Sequence, residues 1–196
     1  IEKSMSLAES ENLTYLSCFE DENLIAGHGC IGLDIIEEKP DTDIIFCPIG
    51  GGAFIAGVAI AVKAIKPEVK IIGVEPEGAN AMYLSFKKNK LVEIEKANTI
   101  ADGLAVEKPG ARPFEIAHKY VDKVVVVTDE EIKKAMILLL ERAKLLVEPA
   151  GAASLAAIIS RRLDFRDKEV VAILSGGNIN LDKFTYILEE EIRVKN

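Results

Sequence analysis

Three consecutive glycines, Gly50, Gly51 and Gly52, stand between an apolar, β-branched run and an apolar helical stretch. Glycine adopts backbone angles that side chains forbid, so its amide can approach a bound anion closely. A helix that starts directly after the glycines adds free N–H donors and a partial positive charge, which suit a phosphate group. The segment is neither a Walker loop nor a good dinucleotide fingerprint, because a GxGxxG frame from Gly50 ends on Ile55. A phosphate-binding loop is one interpretation, and a tight turn without a ligand is the other.

Four further segments place reactive side chains at turns. Ser175 opens a Ser-Gly-Gly-Asn segment after an apolar run, and Glu148 precedes a Pro and a stretch of small residues. Glu75 begins an acidic turn, and Asp102 precedes Gly103 in a loop. Each segment alone also fits an ordinary turn or helix cap, so none of them is specific by itself.

Alternating strand and helix patterns must position these segments. Because strands that alternate with helices form parallel sheets with right-handed crossovers, the pattern predicts an α/β fold. We expect a three-layer open, mostly parallel sheet with helices on both faces, whose strand carboxyl ends bind ligands. The predicted strands are residues 13–19, 43–47, 70–74, 123–127 and 169–174, and the predicted helices are residues 24–38, 53–65, 79–88, 113–120, 129–146, 150–162 and 181–194.

Composition excludes several partners. The net charge is −8, which disfavours a nucleic acid, and the longest apolar run, residues 53–62, is about half of what a membrane span needs. Cys18, Cys30 and Cys47 show no CxxC spacing and are expected as reduced thiols at core or strand positions in a cytoplasmic protein. His28 and His118 are expected to be packed or surface imidazoles. No signal peptide is recognised at the start of the chain.

Taken together, in this order and spacing, the five segments resemble the fold-type II pyridoxal-phosphate (PLP) enzymes, most closely the threonine dehydratases (threonine ammonia-lyases), with serine racemases and serine dehydratases as near relatives. The resemblance runs from about residue 7 to residue 188. It implies that the cofactor phosphate binds at Gly50, Gly51, Gly52 and Ala53, where Ala53 departs from the family's usual fourth glycine.

The resemblance also implies roles for the other segments. The Ser175 hydroxyl would bond to the pyridine nitrogen, Glu148 would lie beside the ring, and the turn at Asp102 and Gly103 would border the site. Glu75 and the carbonyl of Ala79 match a monovalent or divalent cation site of some members, although Ala81 stands where the third ligand would be an acid. The segment Gly27-His28-Gly29-Cys30 replaces a GQGT sequence of many relatives.

The implied activity is β-elimination, which converts L-threonine to 2-oxobutanoate, or L-serine to pyruvate, with release of ammonia. This is a lyase reaction of amino-acid metabolism and isoleucine biosynthesis, expected in a cytoplasmic homo-oligomer that binds a small amino-acid substrate and neither nucleic acid nor membrane. A serine racemase-like activity and a non-catalytic remnant or binding module are the alternatives.

The family's Schiff-base lysine lies in an S-F-K-x-R segment, which does not occur in these residues. No catalytic residue is therefore assigned, and the chain alone is expected to be inactive. Residues 1–20 are expected to be a remnant of the small domain, and residues 21–196 the large domain that binds the phosphate, as parts of a longer enzyme.

Overall fold

The computed structural model describes residues 2–195, and its centre is a parallel sheet of four strands in the order β3-β2-β1-β4. β1 is an inner strand, paired with β2 on one side and β4 on the other. The strands are β1 (Ile44–Pro48), β2 (Lys70–Pro76), β3 (Lys123–Val127) and β4 (Val170–Ala172). The helices are α1 (Glu2–Ser10), α2 (Glu22–Glu38), α3 (Ala53–Ile65), α4 (Ala81–Lys88), α5 (Ala111–Tyr120), α6 (Asp129–Leu138), α7 (Pro149–Ile159) and α8 (Leu181–Lys195).

Helices cover both faces of the sheet, which confirms the predicted three layers. Alternate residues of β1 enter separate cores: Phe46 belongs to one apolar cluster and Ile45 to the other, and both are fully buried. The first cluster contains residues of α6, α7 and α8, and the second contains residues of α2, α3, α4 and α5. An inner strand buried on both faces is a rigid base for the loop that follows it.

Several sequence predictions about elements need correction. The strand predicted at residues 13–19 is wrong: the Ser17 hydroxyl accepts hydrogen bonds from the amides of Phe19 and Glu20 and turns the chain, and Leu13 and Leu16 are exposed. The long helix predicted at 129–146 ends earlier, through a π-helical turn at Leu139–Ala143. The helix predicted from residue 79 starts at Ala81, after a separate 3₁₀ turn at Glu77–Ala79.

The cysteines agree with the prediction only in part. All three are free thiols, and Cys47 is buried in β1 as expected. Cys18 and Cys30 are exposed, so the prediction of core or strand positions is wrong for them. In both cases the reason is local: Cys18 lies in the turn before α2, and Cys30 lies on α2 beside an open groove between α2 and α3.

No helix among the described residues combines the length and the apolar character that a bilayer crossing requires. The division into residues 1–20 and 21–196 stays a prediction, and its outer limits, Ile1 and Asn196, lie outside the described residues.

Candidate functional site

One cavity at the carboxyl end of the sheet brings together four of the five segments that the sequence singled out. Its volume is about 370 Å³. A larger groove of about 540 Å³ between α2 and α3 is lined mostly by apolar side chains and contains none of the residues predicted to bind the cofactor or a cation. The smaller cavity is therefore the candidate site. The residues that line it are Cys18, Phe19, His28, Pro48, Gly50, Gly51, Gly52, Ala53, Phe54, Gly103, Leu104, Val106, Glu148, Ala150 and Ser175.

The glycine loop joins β1 to α3 at the floor of this cavity. Backbone hydrogen bonds hold the loop at two points. The amide of Ile49 donates to Val74 O at 2.8 Å, and the amide of Gly110 donates to Gly51 O at 3.0 Å. Gly52 is the N-cap of α3 with φ of 98°, a conformation that favours glycine. No side chain caps this helix. The amides of its first turn, which have no carbonyl partner earlier in the helix, are thus left to face an anion.

Side chains would not fit along this loop. A Cβ added to Gly50 would lie 3.0 Å from Gly103 O, and one added to Gly51 would lie 2.5 Å from two ring carbons of Phe19. The cradle is therefore built from backbone alone. At the fourth position, Ala53 is buried in a small cluster with Ile25 and Ala56, so its methyl group is accommodated in the core. These features fit a phosphate group.

Glu148 and Ser175 lie on neighbouring segments that both line the cavity. Glu148 is the N-cap of α7, and its amide donates to Gly176 O at 3.1 Å. Its carboxylate lies against Gly176, and an oxygen would be 3.9 Å from a Cβ at Gly103. The absence of a side chain at Gly151 lets the backbone of Gly176 pass across the start of α7. Glu148 thus holds the segment that carries Ser175.

Asp102 points away from this cavity. Its carboxylate is 2.5 Å from the Lys183 ammonium of α8, which also donates to Ile100 O at 2.9 Å. Both side chains line an adjoining cavity of about 250 Å³, to which Glu148 and Gly103 also contribute. Within the turn singled out by the sequence, the backbone of Gly103 borders the candidate site, whereas the acid ties the turn to α8.

Glu75, the first predicted cation ligand, is 2% exposed at the end of β2. Its carboxylate accepts hydrogen bonds from the amides of Met82 and Tyr83, at 2.9 and 2.6 Å, and so caps α4. Burial raises its pKa to about 8, and the two backbone hydrogen bonds oppose that rise. Ala79, four residues further along the chain, is also buried. Among residues 2–195, no group of three or more His, Cys, Asp or Glu side chains is placed to hold a metal.

Sequence reasoning left several residues of the cavity unassigned, among them Cys18, Phe19 and His28. The first two were assigned to a strand that does not exist. His28 lies on α2 with its ring edge-on to that of Phe54, at 5.2 Å between centroids, and burial lowers its pKa. The sequence offered one signal for His28: it replaces the glutamine of the GQGT sequence of many relatives. That segment packs beside the glycine loop.

Comparison with known proteins identifies the family of this chain. A family model described as pyridoxal-phosphate dependent enzyme matches residues 1–176. The chain therefore belongs to the family of pyridoxal-phosphate dependent enzymes. Among curated relatives, an L-threonine ammonia-lyase of Thermotoga maritima is 41% identical over 189 residues, which cover 96% of this chain and 47% of that protein. One from Geobacter sulfurreducens is 44% identical over 181 residues, which cover 92% of this chain and 45% of that protein.

Solved structures show the same fold. The processed form of threonine deaminase isoform 2 from Solanum lycopersicum matches with a TM-score of 0.89 and 33% identity, over 96% of this chain and 55% of that one. Maize serine racemase matches with a TM-score of 0.87 and 32% identity, over 99% of this chain and 60% of that one. The predicted fold class is confirmed. The chain spans about half the length of the curated relatives it matches.

Proposed function

We propose that this chain is the cofactor-phosphate-binding part of a PLP-dependent ammonia-lyase that deaminates L-threonine, or L-serine, by β-elimination. The observation that carries the proposal is the convergence of Gly50–Ala53, Gly103, Glu148 and Ser175 on one cavity. These residues come from four distant parts of the sequence, and all seven residues assigned to the cofactor line the cavity. The names of the relatives, L-threonine ammonia-lyase and threonine deaminase, support the substrate class.

The glycine loop would hold the phosphate. Its backbone amides at the start of α3 donate hydrogen bonds, and the helix dipole favours the negative charge. Gly50, Gly51 and Gly52 leave the loop as bare backbone, because neighbouring groups leave no room for side chains there. The loop therefore binds and orients the cofactor, and it takes no part in proton transfer.

Ser175 and Glu148 would act at the ring. When bound, PLP supplies an electron sink for the electron pair left at the substrate Cα. The Ser175 hydroxyl, a neutral partner, would hydrogen-bond the pyridine nitrogen without keeping it protonated. Glu148 would fix the Ser175 segment through its contact with Gly176 and would present its carboxylate to the ring. Through this neutral contact, Ser175 would favour elimination of the substrate's β-hydroxyl.

None of the described residues that line the cavity is a lysine. We therefore propose that the covalent lysine belongs to a longer protein and that the 196-residue chain binds the cofactor reversibly. Addition of PLP followed by borohydride tests this: reversible binding without a reduced adduct in the cavity is expected. Detectable deamination of L-threonine by the purified chain would contradict the proposal.

A serine racemase-like activity is the second candidate, favoured by the match to maize serine racemase. The two are separated by assaying the longer protein for 2-oxobutanoate from L-threonine and for D-serine from L-serine. Failure of the chain to bind PLP at all would instead favour a non-catalytic remnant.

Three further proposals go with the function. The enzyme would be a cytoplasmic homo-oligomer, and the three free thiols support a reducing compartment. Residues 1–20 would belong to a small domain and residues 21–196 to the large one. A monovalent or divalent cation would bind at Glu75 and the Ala79 carbonyl, where the buried carboxylate supports the proposal.

A further inference from the structure

The turn before α2 lies directly over the glycine loop. Phe19 belongs to this turn, and its ring contacts the small apolar cluster at the start of α3. A Cβ on Gly51 would lie 2.5 Å from ring carbons of Phe19, and one on Gly110 would lie 2.9 Å from another. The ring therefore lies against both glycines, which are themselves joined by the hydrogen bond from the Gly110 amide to Gly51 O.

Glu20 fixes this ring from the neighbouring position. Its two carboxylate oxygens accept hydrogen bonds from the amides of Ala111 and Arg112, at 2.5 and 3.2 Å. These amides open α5, whose own N-cap, Gly110, supplies no side chain for the purpose. The cap of α5 thus comes from a residue 91 positions away in sequence, and the contact ties the turn to the helix.

Arg112 strengthens the same connection. Its guanidinium donates to Glu20 O at 2.9 Å and lies 3.2 Å from the Glu22 carboxylate. The Glu22 pair is largely exposed, so it contributes little to stability. Glu20 and Glu22 are therefore two acids of the same segment, of which only Glu20 contacts the backbone of α5.

We propose that Glu20 is a positioning residue for the phosphate of the cofactor. By capping α5 it holds Phe19 against Gly51 and keeps the glycine loop in its phosphate-binding conformation before the ligand arrives. The inference rests on the proposed function, since it assumes that the loop binds the phosphate of PLP. Preorganisation of this kind raises affinity by reducing the ordering cost of binding.

The test compares pyridoxine 5′-phosphate with pyridoxine, which differ only in the phosphate and lack the aldehyde that reacts with surface lysines. Binding of both to the 196-residue chain is measured by calorimetry. Since an N-cap contributes about 1 kcal/mol, Glu20→Ala should weaken binding of the phosphorylated ligand by up to about fivefold. Binding of pyridoxine should not change. Glu20→Gln, which keeps one acceptor oxygen, should lose less, and Glu22→Ala is the matched control and should bind like wild type.

Two more measurements connect the effect to Phe19 and to the loop. Amide hydrogen exchange at residues 50–53 without ligand should accelerate in Glu20→Ala and not in Glu22→Ala. In a Phe19→Ala background, Glu20→Ala should add little further loss, because residues that act through one contact are not additive.

The inference is overturned if Glu20→Ala binds both ligands as wild type does, or if it weakens both equally, as a general loss of structure would. Full additivity with Phe19→Ala would also overturn it. If Glu20→Ala does not fold, the ratio of the affinities for pyridoxine 5′-phosphate and pyridoxine is measured on Glu20→Gln instead and decides the question. A wild-type chain that binds the phosphorylated ligand no better than pyridoxine would refute the proposed function and this inference together, whereas unchanged hydrogen exchange in Glu20→Ala refutes the inference alone.

Discussion

Replacing Gly52 by alanine tests whether the loop is held in one conformation. The φ of 98° is unfavourable for an L-residue, which costs about 1–2 kcal/mol. The added Cβ would also lie 2.8 Å from Met82 Cε and 2.9 Å from Pro113 Cβ, and overpacking of this kind costs about 1–3 kcal/mol. The two effects together predict a loss of about 2–5 kcal/mol in the free energy of unfolding.

Urea unfolding measures this loss, and Gly27→Ala is the matched control. Gly27 lies exposed in α2 with no atom within 4 Å of an added Cβ, so alanine there should stabilise the protein by about 0.5–1 kcal/mol. Pyridoxine 5′-phosphate should bind Gly52→Ala at least about tenfold more weakly, measured where the variant is folded. If Gly52→Ala unfolds within about 0.5 kcal/mol of wild type, the close contacts and the strained conformation are refuted.

Three other substitutions give further expectations. The pKa of Glu75 is raised to about 8 in the folded protein, so between pH 4.5 and 8 the folded protein keeps a proton that the unfolded chain has lost. The free energy of unfolding should therefore fall by at most about 5 kcal/mol as the pH rises through that range. Urea unfolding at several pH values should show a flatter profile in Glu75→Gln, and a cation that binds there should stabilise only the wild type at pH 8. Ser175→Ala should weaken pyridoxine 5′-phosphate about fivefold, the value of one hydrogen bond, and leave inorganic phosphate unaffected, as dialysis can check. Lys133→Met removes an ammonium group that lies between two acids. The variant should lose about 1–2 kcal/mol in the free energy of unfolding without any change in ligand affinity.

The four strands of the sheet and the glycine loop could be predicted from the sequence because their signals are local. A run such as residues 123–127 has the β-branched composition of a buried strand, and the structure places β3 there. The glycine loop was identified for the same reason, since the helix predicted at 53–65 begins and ends where α3 does.

The turn before α2 could not be predicted because its conformation depends on distant partners. Residues 13–19 have strand-like composition, yet no strand lies beside them, and Glu20 finds its partners 91 and 92 positions away. The direction of Asp102 has a similar cause: Lys183, on a helix near the other end of the sequence, attracts its carboxylate out of the cavity. Sequence patterns report local preference, and these side chains follow tertiary contacts instead.

The pairing of β1 with β4 has a consequence for the order in which the protein can fold. Ile44 lies opposite Val170, and Asp43 accepts a hydrogen bond from the Glu169 amide across 126 residues of sequence. Contacts of such long sequence separation form slowly, because the entropic cost of closing the loop comes before the contact stabilises the fold. During synthesis, the side of the cavity that carries Ser175 can therefore form only after nearly the whole of this chain has been made. A nascent chain lacking β4 would have β1, the strand that leads into the glycine loop, unpaired on one side.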